Sequence, residues 1–376
     1  MKHPINYYFL GSSGLLLACG MVFLATLSGI ESLQAFGNTH YYTFHQLAAA
    51  GIGIFLGLVA FFMPLRIIKK LALPALIINL GLLIAVFLPM FGTKIWGAQR
   101  WINIAGVSLQ PSEFLKITAV MYLAAWLANK TSENYKKGWI LSAKKGYHDA
   151  VRVFLPFLAL LAVIAVILYF QKDASTLGIT SIALISVYFA AGTPLWTTFA
   201  LMAMGVCGAL ALIRFEPYRI NRFLVFLHPE ADPLGIGFQL KQSILAVGSG
   251  GLFGKGLGMS TQKFGFLPQA MGDSIFAIIG EELGIIGCAA LIGLFIFFFR
   301  QGIRIALNST DKFGKLAAIG ICTWIILQTF MNIASSIGVF PLTGIPLPFF
   351  SYGGSHLMAE LAAVGLLLNI SRNKIS

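Results

Sequence analysis

The sequence predicts an all-α polytopic membrane protein with about ten transmembrane helices and one large extracytoplasmic loop between the seventh and eighth. Three observations carry that prediction. Hydrophobic residues make up 58% of the 376-residue chain against 10% charged, with a mean hydropathy of +0.84, far beyond what a water-soluble core needs. Apolar runs long enough to cross a bilayer, which takes roughly 20 residues, recur along the whole chain. Basic residues collect in alternate loops, the bias expected of cytoplasmic connections.

The candidate spans lie near residues 9 to 28, 47 to 63, 71 to 91, 113 to 128, 152 to 170, 175 to 191, 195 to 213, 274 to 299, 317 to 337 and 354 to 371. Only Lys2 precedes the first run, and no small-residue cleavage pattern leads to a soluble domain, so it reads as a retained helix. Placing both termini in the cytoplasm puts most of the 26 Lys and Arg residues inside. The exceptions are Lys94, Arg100, Lys116, Lys172, Arg214, Arg219, Arg222, Lys241, Lys255 and Lys263. The net charge of +13 is therefore largely topology and attraction to anionic membrane lipids. No aromatic-and-basic stripe supports nucleic-acid binding. Cys19, Cys207, Cys288 and Cys322 all fall in apolar spans without metal-ligand spacing, as packing residues do.

The connections follow in order. In the first outer loop, about 29 to 46, His40 and His45 stand five apart and away from acids, poor metal ligands but ordinary interfacial residues. Residues 91 to 116 read as a structured re-entrant or interfacial loop, with Trp96 and Trp101 at headgroup depth. Pro111-Ser112-Glu113 then opens a helix on which Glu113 and Lys116, three apart, face each other. Either they form a structural ion pair or they hold a charged substrate. The inner loop 129 to 151 reads as a basic face with a short amphipathic helix against the inner leaflet. No internal repeat or low-complexity tract appears.

Residues 214 to 273 form the longest polar segment. Arg214, Arg219 and Arg222 carry planar forks suited to phosphate, and 238 to 248 fits a short amphipathic helix at the interface. The glycine run from Gly248 to Gly258 is not a Walker motif, because Gly256 follows Lys255 where Ser or Thr is required. It is an anion cradle or a tight turn. Beyond it, Asp273, Glu281 and Glu282 fall at and inside an apolar run, where an ionisable group marks a functional site by default. For Asp273 the plain alternative is a helix N-cap. In the last outer segment Pro341, Pro346 and Pro348 with Gly344, Gly353 and Gly354 give irregular backbone at membrane depth, which implies a cavity. Glu360 points to that cavity or to a helix partner.

Four pieces now stand in order: GAQRWINIAGVSLQPSEFLK, GSGGLFGKGLGMSTQKFGFLPQAMGDSIFAIIGEELG, PLTGIPLPFFSYGGS and LLNISR. Together they closely resemble the SEDS family (shape, elongation, division and sporulation), the FtsW/RodA-type cell-wall polymerases, over nearly the whole chain as a single integral membrane domain. IIGEELG and LLNISR are closer to the division-type FtsW branch. The resemblance implies a peptidoglycan glycosyltransferase that polymerises lipid II into β-1,4 glycan strands with release of undecaprenyl pyrophosphate, in cell division or elongation. It places the protein in the bacterial cytoplasmic membrane with its active site on the outer face, beside a class B penicillin-binding protein that cross-links the new strand. Asp273 matches the family's catalytic Asp, and Glu113 and Lys116 match its functional Glu and Lys. Two departures are visible: Met271-Gly272 stands where His-Thr is common, and His356 where many members have Ser.

Residue chemistry runs the same way. Asp273 is placed as general base for the acceptor hydroxyl, with nearby Glu281 and Glu282 as supporting acids that raise its pKa. Arg100, Arg219, Arg222, Lys116, Lys255 and Lys263 are candidates for the pyrophosphates, and Ser351, Gly353 and Gly354 for close approach of substrate. A divalent cation, Mg or Mn, is a candidate cofactor with Asp273 as its candidate ligand. The rival readings are a flippase or transporter of a lipid-linked precursor, with Glu281, Glu282 and Glu360 lining a cavity, and an inactive scaffold of the synthesis complex.

Overall fold

The computed structural model describes residues 5–95, 98–104, 107–130, 150–215 and 217–372. Helix α1 (Tyr7–Phe36) starts where the Asn6 side chain accepts from Phe9 N and stops at left-handed Gly37. It is followed by α2 (Tyr41–Phe62) and, after Pro64, by α3 (Leu65–Ala85). Three short strands come next: β1 (Gly92–Ile95), β2 (Ala98–Ile104) and β3 (Val107–Leu109), antiparallel in that order. The expected interfacial loop is thus a small sheet, and it departs from an all-α description. Its register pairs Trp101 with Thr93 and Ile102 with both Gly92 and Leu109, with Ile102 buried. Trp96 and the expected amphipathic helix of the inner loop lie outside the described residues.

Beyond the sheet run α4 (Pro111–Lys130), a π-turn at Ala150–Phe154, α5 (Leu155–Phe170), α6 (Ala174–Ala190) and α7 (Leu195–Phe215). The outer segment holds α8 (Pro217–Leu227) and α9 (Ile236–Ser249), and the chain closes with α10 (Ile275–Leu307), α11 (Lys312–Ser336) and α12 (Gly354–Ser371). A helix meets each of the ten predicted apolar runs. Among the described residues seven helices are long and apolar enough to cross a membrane, and Ala174–Ala190 and Trp196–Gly208 are shorter apolar stretches.

Burial ranks the helices. α12 is 89% buried and lies at the centre, whereas α5 is only 22% buried and stands at the rim. α12 packs along α2, and α4 packs against α3, α6, α11 and α12. The helix read as amphipathic, α9, packs on α10 and α11.

The longest helix is two pieces. At Gly284 α10 takes φ 66° and ψ −167°, a backbone that only glycine adopts without strain. The break frees backbone groups on either side, and the glycine run satisfies them: Lys255 N and Gly256 N donate to the carbonyls of Glu281 and Glu282, while Ile285 N and Ile286 N donate to Gly251 O and Leu252 O. The contact is backbone on backbone, because a Cβ on Gly254 would fall 2.2 Å from Glu282 O and one on Gly284 2.4 Å from Gly254 N. Of the two readings of the glycine run, the tight turn is what the structure contains, with its N–H groups directed at a helix break.

Candidate active site

Asp273 stands on a turn tied by Gly272 N to Gln269 O at 2.8 Å, one residue before Ser274, which occupies the cap position of α10. Its carboxylate makes no cap. It accepts from Gln239 Nε2 of α9 at 3.3 Å, and its carbonyl accepts from Asn332 Nδ2 of α11 at 2.8 Å. Asn332 also donates to Ile345 O, joining the turn to the proline-rich segment. On the near side of that segment Gly344 holds φ 69°, and a Cβ there would sit 3.9 Å from Asp273 Oδ2. The missing side chain leaves that oxygen unobstructed on this side.

Burial raises the Asp273 pKa to about 6, against three weaker influences that favour the carboxylate: its own backbone N–H, the Arg222 guanidinium and the Gln239 amide. The expected contribution of Glu281 and Glu282 to this rise is absent, because both acids are engaged elsewhere. Arg222 itself donates from Nη1 to Leu342 O at 2.9 Å, which holds the cation beside the carboxylate.

The two residues before Asp273 are held by their backbone. Ser351 Oγ donates to Gly272 O at 2.6 Å, and Tyr352 N donates to Met271 O at 2.8 Å. Carbonyls common to every residue type therefore fix this turn, so the Met271-Gly272 departure leaves its placement intact. Ser351 is fully buried and also accepts from Leu347 N, a strut rather than a substrate contact.

Glu113 and Lys116 form a second, interior cluster. Their ion pair is 2.6 Å long with both side chains buried. Lys116 Nζ also donates to Gln328 Oε1 at 2.9 Å and stands 4.9 Å over the Trp324 ring. Gln328 accepts from Trp324 Nε1 and donates to Pro346 O and Glu360 Oε1, while Glu360 Oε2 accepts from Phe349 N. Residues 345 to 351 thus bridge the two clusters.

Lys255, Lys263, Glu281 and Glu282 form a third group. Glu281 accepts from Lys255 Nζ at 2.6 Å and from Ser260 and Thr261, and Lys263 Nζ lies 3.9 Å from Glu282. Both glutamates are fully buried, on the short piece of α10 before the break. They face polar protein partners, Lys255, Ser260, Thr261 and Lys263. Lys263 is buried against this group, and Lys255 is only partly exposed. Arg100 donates to Gln171 O and Lys172 O at the end of α5. The Arg219 side chain lies outside the described residues. Gly353 N donates to Gln46 Oε1 of α2, and a Cβ on Gly354 would lie 3.3 Å from Ala49 Cβ, so both glycines sit at a helix junction.

Residue-level reading missed Gln239, Gln328 and Asn332, the amides that tie these groups together. Nothing local to each marks it; only an amide inside an apolar helix was available as a signal. Among the described residues no three His, Cys, Asp or Glu side chains gather as a metal cage. A single carboxylate such as Asp273 fits the other mode of Mg²⁺ binding, in which substrate phosphates and water complete the shell.

Comparison with known proteins shows the family of the chain. The family model for the cell cycle proteins FtsW, RodA and SpoVE matches residues 8–376. A probable peptidoglycan glycosyltransferase FtsW from Trichlorobacter lovleyi is 37% identical over 95% of this chain and 90% of its own. Stage V sporulation protein E from Bacillus subtilis is 38% identical, covering 95% and 94%. Among solved structures, a chain from a study of polymerization and crosslinking by a peptidoglycan synthase complex superposes with TM-score 0.77 at 24% identity, over 98% of both chains. Thermus thermophilus rod shape determining protein RodA follows with TM-score 0.70 at 23% identity, over 99% and 98%.

Proposed function

The chain belongs to the FtsW, RodA and SpoVE family of cell cycle proteins, and on that premise we propose that it is a peptidoglycan glycosyltransferase of cell division that polymerises lipid II. The observation that carries the reading is Asp273: a buried carboxylate whose pKa burial pushes up to about 6, held by Gln239 and through its backbone carbonyl by Asn332, with one oxygen facing the space beside Gly344. As a base it takes the proton from the acceptor hydroxyl while that oxygen bonds to the anomeric carbon. The bond from that carbon to the lipid pyrophosphate breaks, and the leaving oxygen keeps the electron pair. Arg222, whose charge acts on this base, is the candidate cation for the departing charge. Attack assisted by one base, without a carboxylate nucleophile, inverts the anomeric centre and turns an α-linked donor into a β-1,4 strand. Where Mg or Mn takes part, Asp273 is the carboxylate available to it, and the ion would neutralise charge on the pyrophosphate.

The reading extends to place and partner. Arg66, Lys69 and Arg372 gather at the end of the bundle away from Asp273, which supports cytoplasmic termini and an active site on the outer face of the cytoplasmic membrane. Structural likeness to a chain of a peptidoglycan synthase complex supports a class B penicillin-binding protein as partner.

Glycan chain length with purified protein, lipid II and Mg²⁺, with and without the cognate transpeptidase, tests the proposal. Asp273→Asn keeps the shape and is expected to slow polymerisation by about 10²- to 10⁴-fold, the usual contribution of a general base. A folded Asp273→Asn protein that polymerises at the unmutated rate would overturn it.

A further inference from the structure

A cavity of about 760 Å³ opens at the far end of the bundle from Asp273. α10 starts after Ser274 beside the active site and ends at Leu307, just before the cavity residues Thr310 and Asp311, and α12 runs from its cap Gly353 past Asn369 to Arg372. The two ends are therefore separated by roughly 27 Å, the length of an 18-residue helix.

Three cations line the cavity: Arg66 and Lys69 from the start of α3, and Arg372 after α12. Arg66 is exposed, the Arg372 guanidinium lies 4.9 Å from the centre of the Phe61 ring, and Lys69 Nζ donates to Asn129 Oδ1 at 2.7 Å. The acid in the lining, Asp311, accepts from Gly314 N at 3.0 Å as the cap of α11. The wall is preformed, because Asn369 Nδ2 donates to both Ala60 O and Met63 O and so pins the α2–α3 turn to α12. Next to the cations the lining becomes apolar, with Phe62 71% exposed. Cations set against an exposed aromatic wall at a helix end match a ligand that is anionic at one end and hydrocarbon at the other.

We propose that this cavity binds the phosphodiester head group of an anionic membrane phospholipid, with Arg66, Lys69 and Arg372 around the phosphate and an acyl chain along Phe62. A soluble phosphate would use the same cations but gain nothing from the aromatic wall. Each basic residue near an anionic lipid surface contributes about fivefold in affinity, so removing three is expected to weaken binding by well over tenfold.

The test uses the full chain purified in detergent and native mass spectrometry with phosphatidylglycerol and phosphatidylcholine. Thermal unfolding with phosphatidylglycerol or inorganic phosphate is the second readout. Wild type should retain and be stabilised by phosphatidylglycerol over phosphatidylcholine. The triple variant Arg66→Gln, Lys69→Gln, Arg372→Gln should lose this, whereas Arg304→Gln, at the same end but lining a separate hollow, should keep it. Should the triple variant fail to fold, Arg66→Gln alone, at an exposed side chain, is expected to weaken retention severalfold. Equal retention of both lipids, an Arg66→Gln protein that binds as wild type, or equal stabilisation by inorganic phosphate would overturn the proposal.

Discussion

At Asp273 the pKa of about 6 puts the change of protonation state within reach of a rate measurement. Polymerisation should rise with pH through that value and level off above it, because only the carboxylate accepts a proton. Arg222 and the Gln239 amide both favour the charged form, so Gln239→Ala and Arg222→Gln should each move the midpoint to higher pH. Identical midpoints in all three proteins would show that neither side chain tunes the base. The same group affects stability. Between the ordinary 3.8 and about 6 the folded chain holds a proton that the unfolded chain releases, so its contribution to stability falls as pH rises through that window. The interior pair behaves differently, since both charges are buried and satisfied. Lys116→Met strands Glu113 and should cost about 3–5 kcal/mol, much of it recovered in Glu113→Gln, Lys116→Met. Thermal unfolding of the four proteins of that cycle measures it, and additive losses would mean that the two charges are not coupled.

Among the elements, the broken α10 and the glycine run form one unit. Gly284→Ala combines a strained backbone with a collision against Gly254 N, and it should detach the run from the helix break. Hydrogen exchange at Lys255, Gly256, Ile285 and Ile286 reads this directly. Their amides should lose protection together, while α12 stays protected; an unchanged pattern would refute the unit. This junction also shows where sequence reading ends. Asp273, Glu113 and Lys116 stand out in the sequence because charge in an apolar setting is expensive wherever it occurs. Their connections do not, since Gln239 and Asp273 lie 34 residues apart and Lys116 and Gln328 lie 212 apart. The glycine run showed in sequence that its backbone bends, but not that a second glycine 30 positions later, Gly284 after Gly254, would receive it. Strands β1 to β3 escaped because short strands with mixed polarity resemble an interfacial loop.

At the scale of the molecule the helices were legible, as hydropathy needs no partner to be read. Their packing was not. α2 and α12 meet backbone to backbone: a Cβ on Gly57 would lie 2.7 Å from Leu361 O, and one on Gly365 2.0 Å from Gly57 O. Gly57→Val should therefore lower stability by about 1–3 kcal/mol or more, while Gly51→Val on the open side of the same helix should be neutral. Melting temperatures of the two variants in one detergent decide this, and equal losses would refute the close contact. Finally, order of synthesis gives the third acidic group another meaning. Lys255 is made 26 residues before Glu281, and Lys263, like Ser260 and Thr261, also precedes both glutamates. When the acids leave the ribosome their counterions already exist, so the start of α10 can meet the insertion machinery as a neutralised segment rather than as two bare charges bound for the bilayer.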